Sequence, residues 1–379
     1  MPTDTDKTNL LGLAQDELEQ WFVSVGEKPF RARQLMQWIY QRGVTDFAEM
    51  TDLSKGLRAK LEASAAIDLP PVQSEHRSTD GTIKWLFASG NGQSVEAVFI
   101  PEGSRGTLCI SSQFGCALDC ALCATGHQGF NRNLTAAEII GQVWHAERVL
   151  PARDSGESAI SNVVFMGMGE PLANYRAVLP ALQLLLSDWA FGLSRRRVTV
   201  STSGIVPHIH RLAADCNVSL AVSLHAPNDA LRNELVPINK VHPIDELLGA
   251  CWEYASQHTN RFITFEYVML KDVNDSLEHA DQLVRLLKGR PAKVNLIPFN
   301  PFPQTRFERS AAGRINSFQE RLRRAKLVTT TRRTRGDDID AACGQLAGRV
   351  NDRIQKRLGD KRFNKAAGRG TGKADRATA

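Results

Sequence analysis

Residues 116–123 read Cys116-Ala-Leu-Asp-Cys120-Ala-Leu-Cys123 and place three cysteines within one short loop, with Cys109 shortly before them. Three thiolates spaced this closely can converge on a single metal centre. A structural zinc site needs four protein ligands, and His127 is the local candidate for a fourth. A [4Fe–4S] cluster is usually held by four cysteines, so three would leave one iron open to a small molecule. The spacing therefore favours an iron–sulfur cluster with an open iron.

Two other interpretations of these cysteines stay open at this point. Buried cysteines behave as small apolar residues and need no ligand. A zinc site can also be completed by a residue that is distant in the sequence. A single C-x2-C pair would be weak evidence against either interpretation, whereas the triple spacing is strong evidence.

Length and composition limit the class of protein. The chain has 379 residues, 42% hydrophobic and 23% charged, which is typical of a globular protein with one large and one smaller domain. Neither a run of about eighteen apolar residues nor a signal-peptide core is present, so we expect a cytoplasmic protein without a membrane partner. The net charge of +6 favours a polyanionic partner, although composition alone does not separate nucleic acid from a membrane surface.

Residues 1–70 are predicted to form a small helical domain. Between residues 13 and 65 the apolar residues recur three and four positions apart, which is the helical period. Arg31, Arg33 and Arg42 lie among the aromatic residues of this region, so the domain is a candidate RNA contact. An equally good interpretation is a helical cap with an aromatic core and solvated arginines.

Residues 71–105 are predicted to form a linker and a β-hairpin. Pro70-Pro71 marks the linker, and strands are expected at residues 82–87 and 94–100 around a turn at residues 90–92. Glu96 lies among apolar residues on the second strand, where a carboxyl would have a raised pKa and exchange protons near neutrality. Alternatively, Glu96 faces solvent on a half-exposed strand.

Residues 106–355 are predicted to form an open, partial β/α barrel. Strands are expected at 107–111, 160–165, 197–201, 218–224, 262–269, 293–299 and 327–331, and helices at 135–150, 175–186, 207–214, 244–257, 277–287 and 311–325. Such alternation is typical of a parallel α/β sheet. Four of these strands end in polar or glycine-containing segments, at 167–171, 201–204, 223–226 and 295–300. One such segment is ordinary turn chemistry, but four at successive strand ends predict a ligand site.

The cysteine loop and its surroundings, residues 109–116 and 129–134, resemble the radical S-adenosylmethionine (SAM) enzymes, and in particular the dual-specificity RNA methyltransferases of the RlmN/Cfr family. The resemblance extends over nearly the whole chain. It implies one [4Fe–4S] cluster held by Cys116, Cys120 and Cys123, with SAM on the open iron. It also implies SAM contacts from Gly169, Glu170, Ser201, Ser223, Leu224, His225 and Asn300.

The resemblance further implies two catalytic thiols and a base. Cys343, in the segment 335–346, matches the family cysteine that becomes S-methylated and carries the methyl group to RNA. Cys109 matches the partner thiol, which releases the product by forming a transient disulfide, and Glu96 matches the proton acceptor. Two SAM molecules are used per turnover, one as methyl donor and one as radical source. Cys216 and Cys251 match no functional position and are expected to pack in the core.

The implied substrate is C2 of an adenosine in 23S rRNA at the peptidyl-transferase centre, and of the adenosine 3′ of the anticodon in tRNA. The implied partners are therefore both RNAs and an electron donor, and the enzyme is expected to be a monomer. Two alternatives stay open: methylation of C8, as in the sibling group, and a non-catalytic iron–sulfur RNA-binding or sensor protein. Basic residues cluster at 195–197, 321–326 and 332–335 and in the tail 356–379, which is predicted to be disordered.

Overall fold

The computed structural model describes residues 7–89, 92–257, 262–348 and 350. The predicted hairpin turn at residues 90–92 is described only at Gly92, and the predicted basic tail, residues 356–379, lies outside the described residues. Both therefore remain predictions.

The amino-terminal unit is helical, in agreement with its apolar periodicity. In chain order it contains β1 (Thr8–Asn9), α1 (Gln15–Ser24), α2 (Arg31–Met36), a π-helical turn (Gln37–Gln41), a 3-10 turn (Phe47–Glu49), α3 (Lys55–Ser64) and β2 (Ala65–Ala66). β1 pairs with β2 in parallel and so closes the unit. Its core is formed by apolar side chains from all three helices, including Phe22, Leu35 and Leu61.

An antiparallel extension follows the amino-terminal unit. It consists of β3 (Val72–Arg77), β4 (Ile83–Ala88) and β5 (Ser94–Glu102), and β5 also pairs with β6 (Arg105–Cys109). The expected hairpin is therefore β4 and β5. The sequence analysis placed a linker at Pro70-Pro71 and did not predict β3, which begins at Val72 directly after the proline pair. Five of its six residues are exposed, so its sequence has no apolar alternation that would indicate a strand.

The cysteine loop lies between two short strands. β7 (Gln113–Gly115) and β8 (Phe130–Asn133) pair antiparallel, and the one-turn helix α4 (Ala124–His127) follows the last of the three cysteines. Gly115 has φ +78°, and a Cβ there would lie 1.9 Å from the carbonyl oxygen of Gly129, so the start of the loop requires glycine.

The remaining elements alternate between helix and strand. They are α5 (Ala136–Val149), β9 (Asn162–Phe165), α6 (Tyr175–Leu186), β10 (Val198–Thr202), α7 (Val206–Asp215), β11 (Ser219–Ser223), α8 (Asp229–Leu235), α9 (Ile244–Ser256), β12 (Ile263–Met269), α10 (Leu277–Leu287), β13 (Ala292–Pro298), α11 (Ala312–Arg324) and β14 (Val328–Thr331). The sequence analysis missed α8, since a helix of seven residues spans too few turns to establish a period.

The main sheet has ten strands in the order β14-β13-β12-β11-β10-β9-β6-β5-β4-β3. β6 and β9 to β14 are parallel to one another, which confirms the seven expected strands. The sheet does not close, because β14 and β3 are its two edges. All seven parallel strands end at the same edge of the sheet, which we call the carboxyl edge.

The amino-terminal unit packs on α5. The predicted capping box starts this helix: the Glu138 amide donates to Thr135 Oγ1 over 3.1 Å, and the Thr135 amide donates to Glu138 Oε2 over 2.9 Å. Further along α5, Trp144 Nε1 donates to the carbonyl oxygen of Ile39 over 2.8 Å. The apolar cores of the two parts are continuous. Within the described residues, no helix is both long and apolar enough to cross a bilayer.

Candidate active site

An inner cavity of about 150 Å³ opens at the carboxyl edge. Its lining contains Cys116, Cys120 and Cys123 from the loop after β7, and Cys343 from the far end of the chain. The polar lining residues from the strand ends include six of the seven predicted SAM contacts: Gly169, Glu170, Ser201, Ser223, His225 and Asn300. The fold thus brings together the cysteine loop and four strand ends that the sequence analysis identified separately.

Leu224, the seventh predicted contact, does not line the cavity. Its side chain is fully buried in the core, and its carbonyl oxygen accepts a hydrogen bond from Arg232 Nε over 3.1 Å. Its predicted contact with SAM stays a prediction.

The three loop cysteines suit a cluster better than a single ion. All three are partly exposed and line the cavity, which argues against the interpretation as buried apolar residues. In the described part of the chain, no group of three or more His, Cys, Asp or Glu side chains could share one metal ion. In a [4Fe–4S] cluster each cysteine binds its own iron, so its thiolates need not converge on one point.

His127 does not complete a zinc site. Its side chain is exposed, its ring packs on Phe302 with 5.3 Å between the ring centroids, and it is absent from the cavity lining. The loop residues that face the cavity with metal-binding side chains are its three thiols, which are the ligands that iron–sulfur clusters use.

Glu170 is a buried carboxylate at the end of β9. Oε2 accepts from the Ser203 amide over 2.8 Å, and Oε1 accepts from the Leu172 amide over 3.1 Å. Burial raises the pKa of Glu170, while these amide donors act in the opposite direction. The preceding Gly169 has φ +97°, and a Cβ there would lie 2.5 Å from Gln113 Cβ. Glycine therefore allows the close approach of this turn to β7.

His225 is a buried, neutral imidazole that lines the cavity. Burial and the charge of Arg232 lower the pKa of His225 to about 3. The Val268 amide donates to Nδ1 over 3.2 Å, so the ring hydrogen lies on Nε2. The backbone of His225 has φ +57°, an uncommon conformation that fixes the turn after β11.

Arg232 was missed by the sequence analysis. It lies on α8, is fully buried, and donates to the carbonyl oxygens of Ser203 over 2.7 Å and of Ser223 over 3.0 Å. Burial lowers the pKa of Arg232 to about 10, so it stays cationic at neutral pH. It therefore ties two strand ends together beneath the cavity. The sequence pattern did not identify Arg232, because α8 itself was not recognised.

A carboxy-terminal segment, residues 335–348, holds Cys343 at the cavity. The Ala124 amide donates to the Gly344 carbonyl over 2.8 Å, and Thr125 Oγ1 donates to the Leu346 carbonyl over 2.7 Å. On the other side, Asn300 Nδ2 donates to the Cys343 carbonyl over 3.2 Å. The segment is thus bound both to the cysteine loop and to the end of β13.

Cys109 and Cys343 are neighbours, with Arg332 beside both. Cys109 is buried at the end of β6, and burial raises its pKa to about 12, with a further contribution from Cys343. Cys343, together with Glu266 and Cys109, raises the pKa of Arg332. All seven cysteines fall within the described ranges and all are free thiols. The sequence analysis noted the Arg332 cluster as basic but did not connect it to the thiols.

Glu96 is buried on β5 and engaged by two neighbours. Oε1 lies 3.2 Å from Lys84 Nζ, and Oε2 accepts from the Ala347 amide over 3.0 Å. The alternative that Glu96 faces solvent is wrong. Its neighbours along β5 are apolar, but Lys84 on the neighbouring strand also faces the carboxylate. Its role as proton acceptor stays a prediction.

The remaining predicted features divide between core and surface. Cys216 and Cys251 are buried in the core, as expected. Arg31, Arg33 and Arg42 lie over the rings of Phe30, Trp189 and Trp38, respectively. Phe30 and Trp189 are themselves exposed, so both interpretations of the amino-terminal arginines remain compatible with the structure.

Comparisons with known proteins bear on the family of this chain. The sequence model described as ribosomal RNA large subunit methyltransferase N-terminal domain matches residues 8–67, and that of the radical SAM superfamily matches residues 110–286. A crystal structure of a radical SAM methyltransferase from Sphaerobacter thermophilus is 45% identical over 89% of this chain and 99% of that chain, with a TM-score of 0.82.

More distant similarities have TM-scores below 0.5. Streptococcus suis SuiB bound to S-adenosylmethionine is 13% identical over 62% of this chain and 55% of that chain, with a TM-score of 0.44. A domain of the pyruvate-formate lyase-activating enzyme from Bacteroides vulgatus is 15% identical over 46% of this chain and 99% of that chain, with a TM-score of 0.37.

Proposed function

The chain belongs to the radical SAM methyltransferases of the RlmN/Cfr type, and from this membership we propose that it methylates C2 of adenosine in 23S rRNA and in tRNA, with Cys343 as the methyl carrier. The family itself implies a [4Fe–4S] cluster, SAM and an RNA substrate. The choice of C2, the tRNA substrate and the roles of individual residues are the content of the proposal.

One observation carries the proposal: Cys343 lines the same cavity as the three loop cysteines, and the buried thiol of Cys109 is its neighbour. A protein that only bound RNA through a cluster would not need a second pair of thiols at the cluster site. This pair therefore favours turnover over the alternative of a binding or sensor protein.

The thiol pair suits a carrier mechanism. An aryl carbon of adenine is a poor nucleophile, so direct methyl transfer from SAM is an unsuitable route. A cluster on Cys116, Cys120 and Cys123 would supply the electron that cleaves SAM. Cys343 would accept a methyl group at Sγ as the nucleophile, and the cation Arg332 lies beside it in the lining of the same cavity.

Release of the product would use the second thiol. Before it bonds to C2 of adenine, the S-methyl group of Cys343 would give up one hydrogen atom to the radical formed from SAM, and the electron used to cleave SAM would return to its donor when the adduct has lost its proton. Cys109 would then attack Cys343 Sγ, forming an S–S bond and breaking the C–S bond, and the released carbon would take up a proton to become a methyl group. The base keeps the methyl carbon, and the proton that leaves C2 would pass to a base, for which Glu96 is the candidate. The resulting disulfide must be reduced before the next cycle.

The carrier role is tested by the mass of the peptide 336–349, which trypsin would release from the chain. After incubation of the reconstituted enzyme with SAM that carries a trideuterated methyl group, Cys343 should gain that methyl group. The variant Cys343→Ala should lose RNA methylation by at least about a thousandfold, as expected for removal of a covalent nucleophile, while it keeps the absorbance of the cluster.

Cys216→Ala is the matched control, since Cys216 is a buried core thiol away from the cavity. It should methylate RNA at a rate close to that of the unaltered enzyme. An unmodified Cys343 in an enzyme that methylates RNA, or an active Cys343→Ala variant, would show that the carrier role is wrong.

A further inference from the structure

A second cavity, which we call the side cavity, has a volume of about 440 Å³ and adjoins the inner cavity. The two cavities share four lining residues: Ile297, Asn300, Arg332 and Cys343. Cys343 therefore lies in the wall between them. A thiol in this position can be reached from either cavity.

The lining of the side cavity is polar and basic. It contains Thr330, Thr331, Thr334, Arg332, Arg333 and Arg335 from the end of β14 and the residues that follow. Glu102 is the one acidic residue in this lining. The cavity is thus a cationic site with several hydroxyl groups, which is suited to a phosphate-containing ligand.

Some of these groups have no partner in the protein. Within the described residues, Arg333 is exposed and makes no side-chain hydrogen bond or ion pair. The buried atoms Thr331 Oγ1 and Arg335 Nε also lack a hydrogen-bond partner. Arg335 Nη1 lies 3.8 Å from Asp80, which leaves the rest of its guanidinium available. Donors left unpaired at a cavity wall suit a ligand that accepts hydrogen bonds.

The basic cluster at residues 332–335 lies apart from the other two basic clusters of the described chain. Arg195–Arg197 precede β10, and residues 321–326 precede β14. Both therefore lie at the amino ends of parallel strands, opposite the carboxyl edge. Residues 332–335 follow β14 and lie at the edge that holds Cys343.

We propose that the side cavity receives a single-stranded RNA segment, with an unpaired adenosine against Cys343 and its flanking phosphates on Arg333 and Arg335. This inference rests on the function proposed above, and adds the site and route of the RNA. Enzymes that act on a base must take it out of the stack, and a cavity of this size accommodates one nucleoside. Arginine is suited to holding the neighbouring phosphates.

The test is the binding of a fluorescein-labelled RNA stem-loop that carries one adenosine in its loop, measured by anisotropy over a range of salt concentrations. Arg333→Gln and Arg335→Gln should each weaken binding by roughly three- to tenfold and lower the slope of log K against log salt by about 0.7. Arg333→Lys should restore most of the affinity, because it keeps the charge.

Arg324→Gln is the matched control. Arg324 is 73% exposed on α11, belongs to the cluster at the opposite edge and pairs with Glu320. It should leave RNA affinity within about twofold of the unaltered protein, since a distant exposed charge is screened. Thermal unfolding of each variant checks the fold; if Arg335→Gln is unstable because its contact with Asp80 is lost, Arg333→Gln decides alone.

Three results would overturn the proposal. Unchanged affinity in Arg333→Gln would remove the side cavity from the RNA path. An equal loss of affinity in Arg324→Gln would show that RNA binding depends on the overall positive charge and not on the side cavity. If the unaltered enzyme methylates no adenosine, the function itself fails and this inference fails with it, and that outcome is distinguishable because it is seen without any variant.

Discussion

At the scale of single residues, the two central thiols differ in their surroundings. Burial raises the pKa of Cys109 to about 12, so this thiol stays protonated at neutral pH. Cys343 instead lines both cavities and is the first cause of the raised pKa of Arg332. We therefore expect methylation to fall on Cys343 and Cys109 to react only after the RNA adduct has formed.

Removing Cys109 should trap that adduct. With Cys109→Ala, the bond between Cys343 and the modified base has no thiol to break it, so labelled RNA should remain attached to the protein on a denaturing gel. Release should fall by at least about a hundredfold, as for loss of a nucleophile. Cys216→Ala should release product normally. Free methylated RNA from Cys109→Ala at the rate of the unaltered enzyme would remove the resolving role.

The sequence predicted some site residues and missed others for physical reasons. The loop cysteines were singled out by their own spacing, and the placement of Glu170 and His225 at the cavity could be expected because the carboxyl ends of parallel strands meet at one edge of the sheet. Arg232 and Lys84 could not, since an isolated basic residue in a sequence is usually solvated. Their importance comes from contacts with residues of other elements, which no local pattern records.

At the scale of elements, the antiparallel extension holds the carboxy-terminal segment in place. Asp338 accepts from Ser78 Oγ over 2.5 Å, and the Gly336 amide donates to Asp80 Oδ2 over 3.1 Å. Beyond these contacts, Lys84 donates to the Asp340 carbonyl over 3.3 Å and pairs with Glu96. Glu96 in turn accepts from the Ala347 amide. The Lys84–Glu96 pair thus binds the segment on both sides of Cys343.

Breaking this pair should loosen the segment. Lys84→Met removes the donor to Asp340 and leaves a buried carboxylate without its cation, which is strongly unfavourable. Backbone amides of residues 338–347 should then exchange hydrogen for deuterium roughly tenfold faster. Lys60→Met, which breaks the Lys60–Glu27 pair in the amino-terminal unit, should leave exchange in this segment unchanged. Equal exchange in both variants would show that the pair does not hold Cys343.

The elements that were missed share weak local signals. β3 is almost fully exposed and α8 has seven residues, so neither has a buried face that is long enough to set a period. By contrast, β9 to β13 are largely buried strands separated by amphipathic helices, and each was recognised.

At the scale of the whole molecule, the parts meet through contacts that composition does not encode. Alternating helices and strands were enough to predict an open parallel sheet. The packing of the amino-terminal unit on α5 depends on specific hydrogen bonds. Trp144 Nε1 donates to the Ile39 carbonyl, and Arg148 Nη2 donates to the Tyr40 carbonyl over 2.9 Å. The side cavity likewise arises only when the carboxy-terminal segment returns to the barrel, so it could not be foreseen.

Identification of the methylated nucleoside is the most direct test of the central claim. Nucleosides from rRNA and tRNA of cells that lack this gene should be compared by mass spectrometry with those of the same cells after the gene is restored. The account predicts 2-methyladenosine in both RNAs only when the gene is present. The appearance of 8-methyladenosine instead, or of no methylated adenosine, would contradict it.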